Sequence, residues 1–218
     1  MIFNFSNFFS NKIEAVLHSN PHKKNINEIV KEFSNSKKIA IPEQIHSCIV
    51  QDIKKEGIYS DTDGLINSEK DLILTLKVAD CVPIFLYDDK KKNFGLIHSG
   101  WKGTAGNIVS NGIKKMIYNN SDSGDILAFL GPCIQSCCYE VGEDVSKYFD
   151  NIAKLMIKDN KWMLDLHSQI KMSLLDCGLQ EKNIQCSDVC TFESDKCHSY
   201  RRDGENAGRM IAVMRMIK

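Results

Sequence analysis

Short apolar runs separated by polar turns dominate the middle of the chain. Residues 72–76, 83–87 and 94–97 are rich in Ile, Leu and Phe, which is typical of strands that are buried in a sheet. Further strands are predicted at residues 126–130, 184–190 and 210–217. Residues 39–50 also have a β-like pattern, so most of the core-forming segments are predicted to be strands.

Apolar residues at helical spacing occur in the segments 26–33, 107–118, 143–156 and 165–177. Asn25 and Asp165 are the predicted N-caps of the first and last of these helices. Gly178 is predicted to end the last one, because glycine adopts the left-handed conformation that closes many helices. Helices of this length are expected to cover the faces of the predicted sheet.

The predicted strands and helices interleave irregularly, and no segment has the length and composition of a linker between domains. Chains divide into domains mainly beyond ~250 residues, and this chain has 218. The sequence therefore predicts an α/β fold in a single domain, residues 1–218. We expect a layered mixed β-sheet with flanking helices.

The charge balance excludes some classes of partner. Lysine and arginine together number 28, as do aspartate and glutamate, so the formal net charge is zero. Long-range attraction to nucleic acid or to an anionic membrane is therefore not expected. No apolar run approaches the ~20 residues of a membrane span, and the start of the chain is too polar for a secretory signal. We expect a cytoplasmic protein whose nine cysteines are reduced.

Cys81 and His98 are the first candidates for chemistry, because each lies at the edge of a predicted strand. Cys81 directly follows Asp80, and His98 ends an apolar run seventeen residues later. A charged residue at the start of a strand indicates an opening rather than a sealed core. His46 lies in a third segment of β-like pattern, so all three side chains could reach one cleft.

Two chemistries suit these side chains, and the residues alone leave both open. His46, Cys81 and His98 would supply the three protein ligands of a catalytic zinc, with a fourth position open for water. Alternatively, Cys81 would be a nucleophile and His98 its base. Taken singly, each residue also has a structural explanation, because free cysteine is commonly a buried apolar residue.

A structural zinc site is the rival metal interpretation. Cys133 and Cys137 are four residues apart, and so are Cys186 and Cys190, which loosely matches the ligand spacing of zinc ribbons. The pattern is weak because other cysteines crowd it and because both pairs lie next to predicted strands.

Two further features could contact an anion. Residues 99–107 form a glycine-rich turn before a predicted helix, where backbone N–H groups could bind one. Lys102 is followed by glycine, so the turn is not a Walker A loop, and its glycines could instead allow packing beneath Trp101.

All four arginines lie in the last eighteen residues. Arg201 and Arg202 could bind phosphate through both guanidinium nitrogens, or form local salt bridges.

Seven motifs together resemble one known family. In chain order they are Gln44-Ile45-His46, Asp63-Gly64, Ala79-Asp80-Cys81-Val82-Pro83, His98-Ser99-Gly100-Trp101-Lys102-Gly103, Gly131-Pro132-Cys133-Ile134, Cys138-Tyr139-Glu140-Val141 and Ser199-Tyr200-Arg201-Arg202-Asp203. They resemble the laccase-domain family of purine nucleoside phosphorylases, formerly called multicopper polyphenol oxidases. The likeness extends over roughly residues 40–217.

This resemblance implies a layered α/β fold with zinc on His46, Cys81 and His98. It also implies phosphorolysis of adenosine, inosine and S-methyl-5'-thioadenosine, together with deamination of adenosine. The partners would be purine nucleosides and phosphate, in a monomer or weak homodimer. Copper is the less favoured metal, because a three-copper cluster needs more histidines than the six present.

The phosphate candidates are Lys102, Arg201 and Arg202, and Asp80 would either supply a proton or orient a metal-binding histidine. Two departures from the family pattern bear on substrate range. The first forty residues lack the arginine-containing segment that members usually carry, and Lys102 stands where arginine is usual. The alternative functions are a zinc-free cysteine hydrolase that uses Cys81 and His98, a polyphenol-oxidase-like enzyme, and a non-enzymatic zinc protein.

Overall fold

The computed structural model describes residues 1–10, 12–20, 22–34 and 38–217. Its strands are β1 (Ile2–Asn4), β2 (Ile13–His18), β3 (Ile39–Pro42), β4 (Val50–Ile53), β5 (Gly57–Tyr59), β6 (Gly64–Asn67), β7 (Ile73–Val78), β8 (Val82–Asp88), β9 (Asn93–Ser99), β10 (Leu127–Leu130), β11 (Glu140–Gly142), β12 (Lys154–Lys158), β13 (Lys161–Leu164), β14 (Ile184–Cys186) and β15 (Met210–Met216). Its α-helices are α1 (Ser6–Phe9), α2 (Ile26–Val30), α3 (Trp101–Ala105), α4 (Ile108–Tyr118), α5 (Glu143–Ser146), α6 (Leu166–Asp176) and α7 (Tyr200–Asp203).

Two six-stranded sheets form the body of the protein, with strand orders β1-β2-β15-β7-β3-β5 and β14-β10-β8-β9-β6-β4. Both sheets are mixed. In the first, β3 is parallel to β7 and β5, and in the second, β10 is parallel to β14 and β4 is parallel to β6. The small third sheet, β11-β13-β12, is antiparallel.

Alternating side chains along the central strands show how these layers stack. In β8, Ile84 and Leu86 belong to a core that includes residues of α4 and α6. Phe85 and Tyr87 point the other way, into a core shared with β2, β7 and β15 of the first sheet. Successive side chains of a strand lie on opposite faces of its sheet, so the second sheet is covered by helices on one face and by the first sheet on the other.

A smaller core between α2 and the outer face of the first sheet completes the layering. The layers are therefore helix, sheet, sheet and helices, which confirms the predicted α/β class with a mixed sheet and flanking helices. The strands are divided among three sheets. Across the described ranges, every helix is too short or too polar to cross a membrane.

Helix ends follow the predicted capping chemistry. The Asn25 side chain accepts a hydrogen bond from the Glu28 backbone, and the Glu28 side chain accepts one from Asn25 N, which completes a capping box. Asp165 caps α6 by accepting from the Ser168 N–H at 3.0 Å. Gly178, with φ of 91°, follows the end of this helix.

The predicted helix over residues 143–156 is wrong. Helix α5 ends at Ser146, and the later part of the segment is the strand β12. Asp150 interrupts the helical path, because its backbone N–H and its carboxylate both bond to the Gln169 side chain on α6. Leu155, which supplied part of the helical spacing, is 68% exposed. A tertiary contact therefore overrides the local apolar pattern.

Replacement of Asp165 by alanine should lower the free energy of unfolding by about 1 kcal/mol, because α6 loses its side-chain cap. Asp165→Asn keeps an oxygen acceptor for the Ser168 N–H and should retain most of the stability. Urea denaturation of the two variants beside the parent protein measures the difference. Equal stability of Asp165→Ala and the parent would contradict the assigned cap.

Candidate functional site

The side chains of His46, Cys81 and His98 come together at one edge of the second sheet. The Cys81 Sγ lies 3.9 Å from the His46 Nε2, and the two imidazole rings are 4.8 Å apart between centroids. One donor atom from each of the three residues lies within 4.8 Å of the others. His98 is buried, Cys81 is half-buried and His46 is exposed, so the group opens to solvent on one side.

Strand topology explains this convergence. Strand β9 is antiparallel to both of its neighbours, β8 and β6, and β6 is parallel to β4. The end of β9 therefore lies beside the starts of the other three strands. His98 is at the end of β9, Cys81 immediately precedes β8, and His46 lies in the loop before β4. Residues that are distant in sequence are thus brought to the same edge by the strand order.

Gly100 leaves room for this group. A Cβ atom at position 100 would lie 2.8 Å from the Cys81 Sγ and 3.1 Å from the His46 Cδ2. The first distance is shorter than van der Waals contact allows, so a larger residue would displace the thiol. Steric exclusion therefore explains why glycine follows Ser99 in the His-Ser-Gly-Trp motif.

The Asp63 carboxylate holds two of the three residues in place. It is completely buried, and its Oδ1 lies 2.8 Å from the His98 Nδ1. The same oxygen accepts from the His46 backbone N–H at 3.0 Å, and Oδ2 accepts from the Ser47 N–H and hydroxyl. His46 has φ of 60°, a conformation that few non-glycine residues adopt, and these bonds maintain it.

This arrangement fixes the state of the His98 ring. A carboxylate beside Nδ1 keeps a proton on that nitrogen, so Nε2 is the ring nitrogen that would bind a metal, with release of its own proton. Burial would raise the pKa of Asp63, but hydrogen bonds from His98 and Ser47 lower it to about 2. Asp63 is therefore ionised at neutral pH. This role was not predicted from the sequence, although Asp63 directly precedes β6 and belongs to one of the family motifs.

Cys81 and His98 form a charged pair in the metal-free protein. Burial would raise the pKa of the Cys81 thiol, but the charge of His98 and hydrogen bonds from both histidines lower it to about 6. Burial would lower the pKa of His98, yet the Cys81 thiolate and Asp63 raise it to about 9. A thiolate near neutral pH is the form of cysteine that binds metal or acts as a nucleophile.

The donor set fits a zinc ion. Bond lengths of 2.3 Å to sulfur and about 2.0 Å to nitrogen place the two atoms about 3.6 Å apart in a tetrahedral site. The observed separation of the Cys81 Sγ and the His46 Nε2 is 3.9 Å. Three protein ligands with an open side correspond to the catalytic type of zinc site.

Asp80 has partners different from the histidines that the sequence suggested for it. Its Oδ1 accepts from the Thr191 hydroxyl at 2.6 Å, and its Oδ2 accepts from the Arg201 backbone N–H at 2.7 Å. Asp80 itself has φ of 82°. Its carboxylate thus connects the segment before β8 to residues near the end of the chain.

A cavity of about 950 Å³ opens above the three converging residues. Its walls include the side chains of Glu43, Trp101, Tyr139, Tyr200, Arg201, Glu205 and Arg209. This volume is within the range of small-molecule sites. Aromatic faces and two arginines are therefore available to a ligand that carries both a flat ring and an anion.

The other two predicted anion-binding residues, Lys102 and Arg202, do not line this cavity. The Lys102 ammonium is 5.7 Å from the centre of the Trp101 ring. The Arg202 guanidinium donates to four backbone carbonyls, those of Thr191, Phe192, Ser194 and Cys197, and also pairs with Asp203. Its donors are thus engaged by the protein itself.

Asp63→Asn should weaken metal binding about 10- to 100-fold, because the carboxylate no longer orients His98. Zinc titration with a competing chelator dye measures the affinity. The free energy of unfolding of the metal-free variant should also fall, by about 2 kcal/mol, since the depressed pKa of Asp63 represents native-state stabilisation.

The pH dependence of that stability difference provides the check. A carboxylate with a lowered pKa stabilises the fold fully above its unfolded pKa, and the effect is lost as pH falls towards the folded pKa of about 2. Below about pH 5, where His98 is protonated in both the folded and the unfolded protein, the difference between metal-free parent and Asp63→Asn should therefore shrink as pH falls through about 4. A difference that grows as pH falls below about 5 would exclude this role for Asp63.

Comparison with known proteins identifies relatives along nearly the whole chain. A purine nucleoside phosphorylase of Clostridium acetobutylicum is 34% identical over 96% of this chain and 91% of its own length. A purine nucleoside phosphorylase of Borreliella burgdorferi is 36% identical over 83% of this chain and 84% of its own length.

The fold also has a solved counterpart. The crystal structure of YlmD from Geobacillus stearothermophilus aligns with a TM-score of 0.89, covering 98% of this chain and 94% of that one, at 24% identity. The family model described as multi-copper polyphenol oxidoreductase laccase matches residues 13–217. Given this match and the relatives above, the chain belongs to the multi-copper polyphenol oxidoreductase laccase family, which includes proteins named purine nucleoside phosphorylase.

Proposed function

We propose that this protein is a zinc-dependent purine nucleoside phosphorylase that acts on adenosine, inosine and S-methyl-5'-thioadenosine. The observation that carries the proposal is the convergence of His46, Cys81 and His98 beneath a cavity of about 950 Å³. The names of the relatives support the reaction class. The three residues would hold zinc, which when bound supplies a Lewis acid that polarises an oxygen atom.

Arg201 is our candidate for binding phosphate, together with Arg209. Both line the cavity, and a guanidinium matches a phosphate oxygen pair in shape and charge. The Arg201 guanidinium stacks on Tyr139, 5.0 Å from the ring centre, and donates to the Glu140 carbonyl at 2.7 Å. These contacts would hold it in one orientation and leave other N–H groups for phosphate.

The nucleoside would lie against the aromatic wall of the cavity. Trp101 and Tyr200 offer ring faces on which a purine can stack. Phosphorolysis requires an oxygen of bound phosphate to reach C1′ of the ribose as the purine leaves, through a transition state with oxocarbenium character as in glycoside cleavage. The protein would contribute mainly by positioning the two reactants, which is a large part of catalysis for such two-substrate reactions.

Adenosine deamination is the second activity that we propose, because of the donor set. Zinc deaminases of nucleobases use histidine and cysteine ligands and leave a position for water, and His46, Cys81 and His98 provide the same ligand types with an open side. Phosphorolysis and deamination would then use one site. A zinc-free hydrolase with Cys81 as nucleophile is the alternative that the same geometry offers.

Metal removal tests this proposal. Purified protein should convert adenosine, inosine and methylthioadenosine in the presence of phosphate, with products separated by chromatography. A strong chelator should abolish phosphorolysis and deamination, and added zinc should restore both in parallel, whereas copper content should track neither. Cys81→Ser should lose both activities, because a hydroxyl is a far poorer zinc ligand than a thiolate. Cys186→Ser, at an exposed cysteine, is the matched control and should keep both.

Two outcomes would contradict the proposal in different ways. Full-rate deamination by folded protein that is verified as metal-free would favour Cys81 and His98 as a nucleophile–base pair. The absence of turnover of any of the three nucleosides by zinc-loaded protein would exclude the nucleoside function itself.

A comparison of two neighbouring arginines tests the phosphate assignment. Arg201→Ala should raise the KM for phosphate about tenfold or more, with a smaller change in the KM for the nucleoside. Arg202→Ala should instead lower the free energy of unfolding by about 2 kcal/mol, because backbone carbonyls lose a charged donor. Steady-state kinetics and thermal unfolding of both variants measure these effects. A raised phosphate KM in Arg202→Ala at unchanged melting temperature would reverse the assignment.

A further inference from the structure

A second group of metal-binding side chains lies outside the His46, Cys81 and His98 set. Among the described residues, Cys137, Cys138, Cys190 and Glu193 each place a sulfur or carboxylate oxygen within 4.8 Å of the others. The Sγ atoms of Cys137 and Cys138 are 3.3 Å apart. Cys190 is buried, Cys138 is half-buried, and Cys137 and Glu193 are exposed, so the group is a shallow site that a cation can enter.

The spacing of these atoms suits one tetrahedral zinc ion. With zinc–sulfur bonds of 2.3 Å, two thiolates of such a site are about 3.8 Å apart. The observed separations extend from 3.3 Å to at most 4.8 Å. The tetrahedral spacing lies inside this range. Three thiolates and one carboxylate complete four-fold coordination, which is the closed arrangement of structural zinc sites.

The Cys190 sulfur is already surrounded by donors. The backbone amides of Gln135, Phe192 and Glu193 hydrogen-bond to it. A cation at this position would compensate the negative charge of three thiolates and a carboxylate, and its binding would release the thiol protons.

The two segments that carry these residues are fixed against each other. The Thr191 N–H donates to the Cys133 carbonyl at 2.9 Å, and the Gln135 side chain donates to the Ser187 carbonyl at 3.0 Å. The four carbonyl contacts of Arg202 order the loop between Cys190 and Cys197. The ligand positions are therefore largely formed before any metal binds, which lowers the entropy cost of binding.

We propose that Cys137, Cys138, Cys190 and Glu193 bind a second, structural zinc ion. This set differs from the two cysteine pairs that the spacing suggested. Cys133 is buried with its Sγ 3.3 Å from the His167 Nε2, and Cys186 lies at the exposed end of β14. Each pair thus contributes one ligand, and Cys138 and Glu193 supply the others.

The second site would stabilise the first through a short covalent and hydrogen-bonded path. Thr191 follows Cys190, and its hydroxyl donates to the Asp80 carboxylate at 2.6 Å. Asp80 in turn precedes Cys81. A zinc ion on Cys190 would hold Thr191 in position and so restrain the segment that carries the thiolate of the first site.

The zinc content of purified variants of the whole chain tests the proposal. Elemental mass spectrometry measures it. Cys137→Ser should contain about one zinc equivalent less than the parent protein, whether or not the first site is loaded. Cys137 is exposed, so this change should leave the fold intact. Cys186→Ser is the matched control at another exposed cysteine and should retain the parent zinc content.

Cobalt substitution in a Cys81→Ser background gives an independent measure, because that variant lacks the thiolate of the first site. The Cys81→Ser protein should show thiolate-to-cobalt charge-transfer absorption, and Cys137→Ser or Glu193→Gln introduced into it should change or remove this band. Equal zinc in Cys137→Ser and Cys186→Ser would overturn the proposal. Copper in place of zinc, or a disulfide among these cysteines in protein purified under reducing conditions, would overturn it as well.

Discussion

The site depends on one buried carboxylate. Asp63 has no exposure to solvent, and its oxygens accept from the His98 ring and from the backbone of His46 and Ser47. A buried charge is tolerated only when it is fully hydrogen-bonded, and each of these donors belongs to the site or to the loop that supports it. The same bonds that satisfy the charge therefore place an imidazole from a strand and an imidazole from a loop against the same thiol.

The sheet supplies the rest of the geometry. The end of β9 and the starts of β8, β6 and β4 share one edge, and strand pairing fixes their relative register. Loops on this edge can then vary while the reactive atoms stay in place, which is the common relation between a rigid scaffold and a site on its loops. The cavity walls, by contrast, include residues that are far apart along the chain, such as Glu43 and Arg209.

Much of this arrangement could be predicted from the sequence, for definable reasons. The buried strands β7, β8 and β9 form continuous apolar runs, and three reactive residues next to strand ends indicated one cleft. The roles of Asp63, Asp80 and Arg202 could not be predicted in this way. Asp63 and Asp80 depend on hydrogen bonds across long sequence separations, 35 residues for His98 and Asp63 and 121 for Asp80 and Arg201, and local patterns carry no information about such contacts. The carbonyl partners of Arg202 are 5 to 11 residues away, but they belong to an irregular loop whose path no periodic pattern predicts. The strand β2 and the break at Asp150 were missed for the same reason, because pairing and a tertiary contact determine them.

The bond between Asp80 and the Arg201 backbone has a consequence for biosynthesis. Its two residues are 121 positions apart, and such long-range contacts form late in folding because loop closure is costly. On the ribosome, Asp80 and Cys81 emerge well before Arg201. During that interval the segment before β8 lacks the contact that connects it to the later part of the chain, and the rate of chain synthesis limits how long the interval lasts.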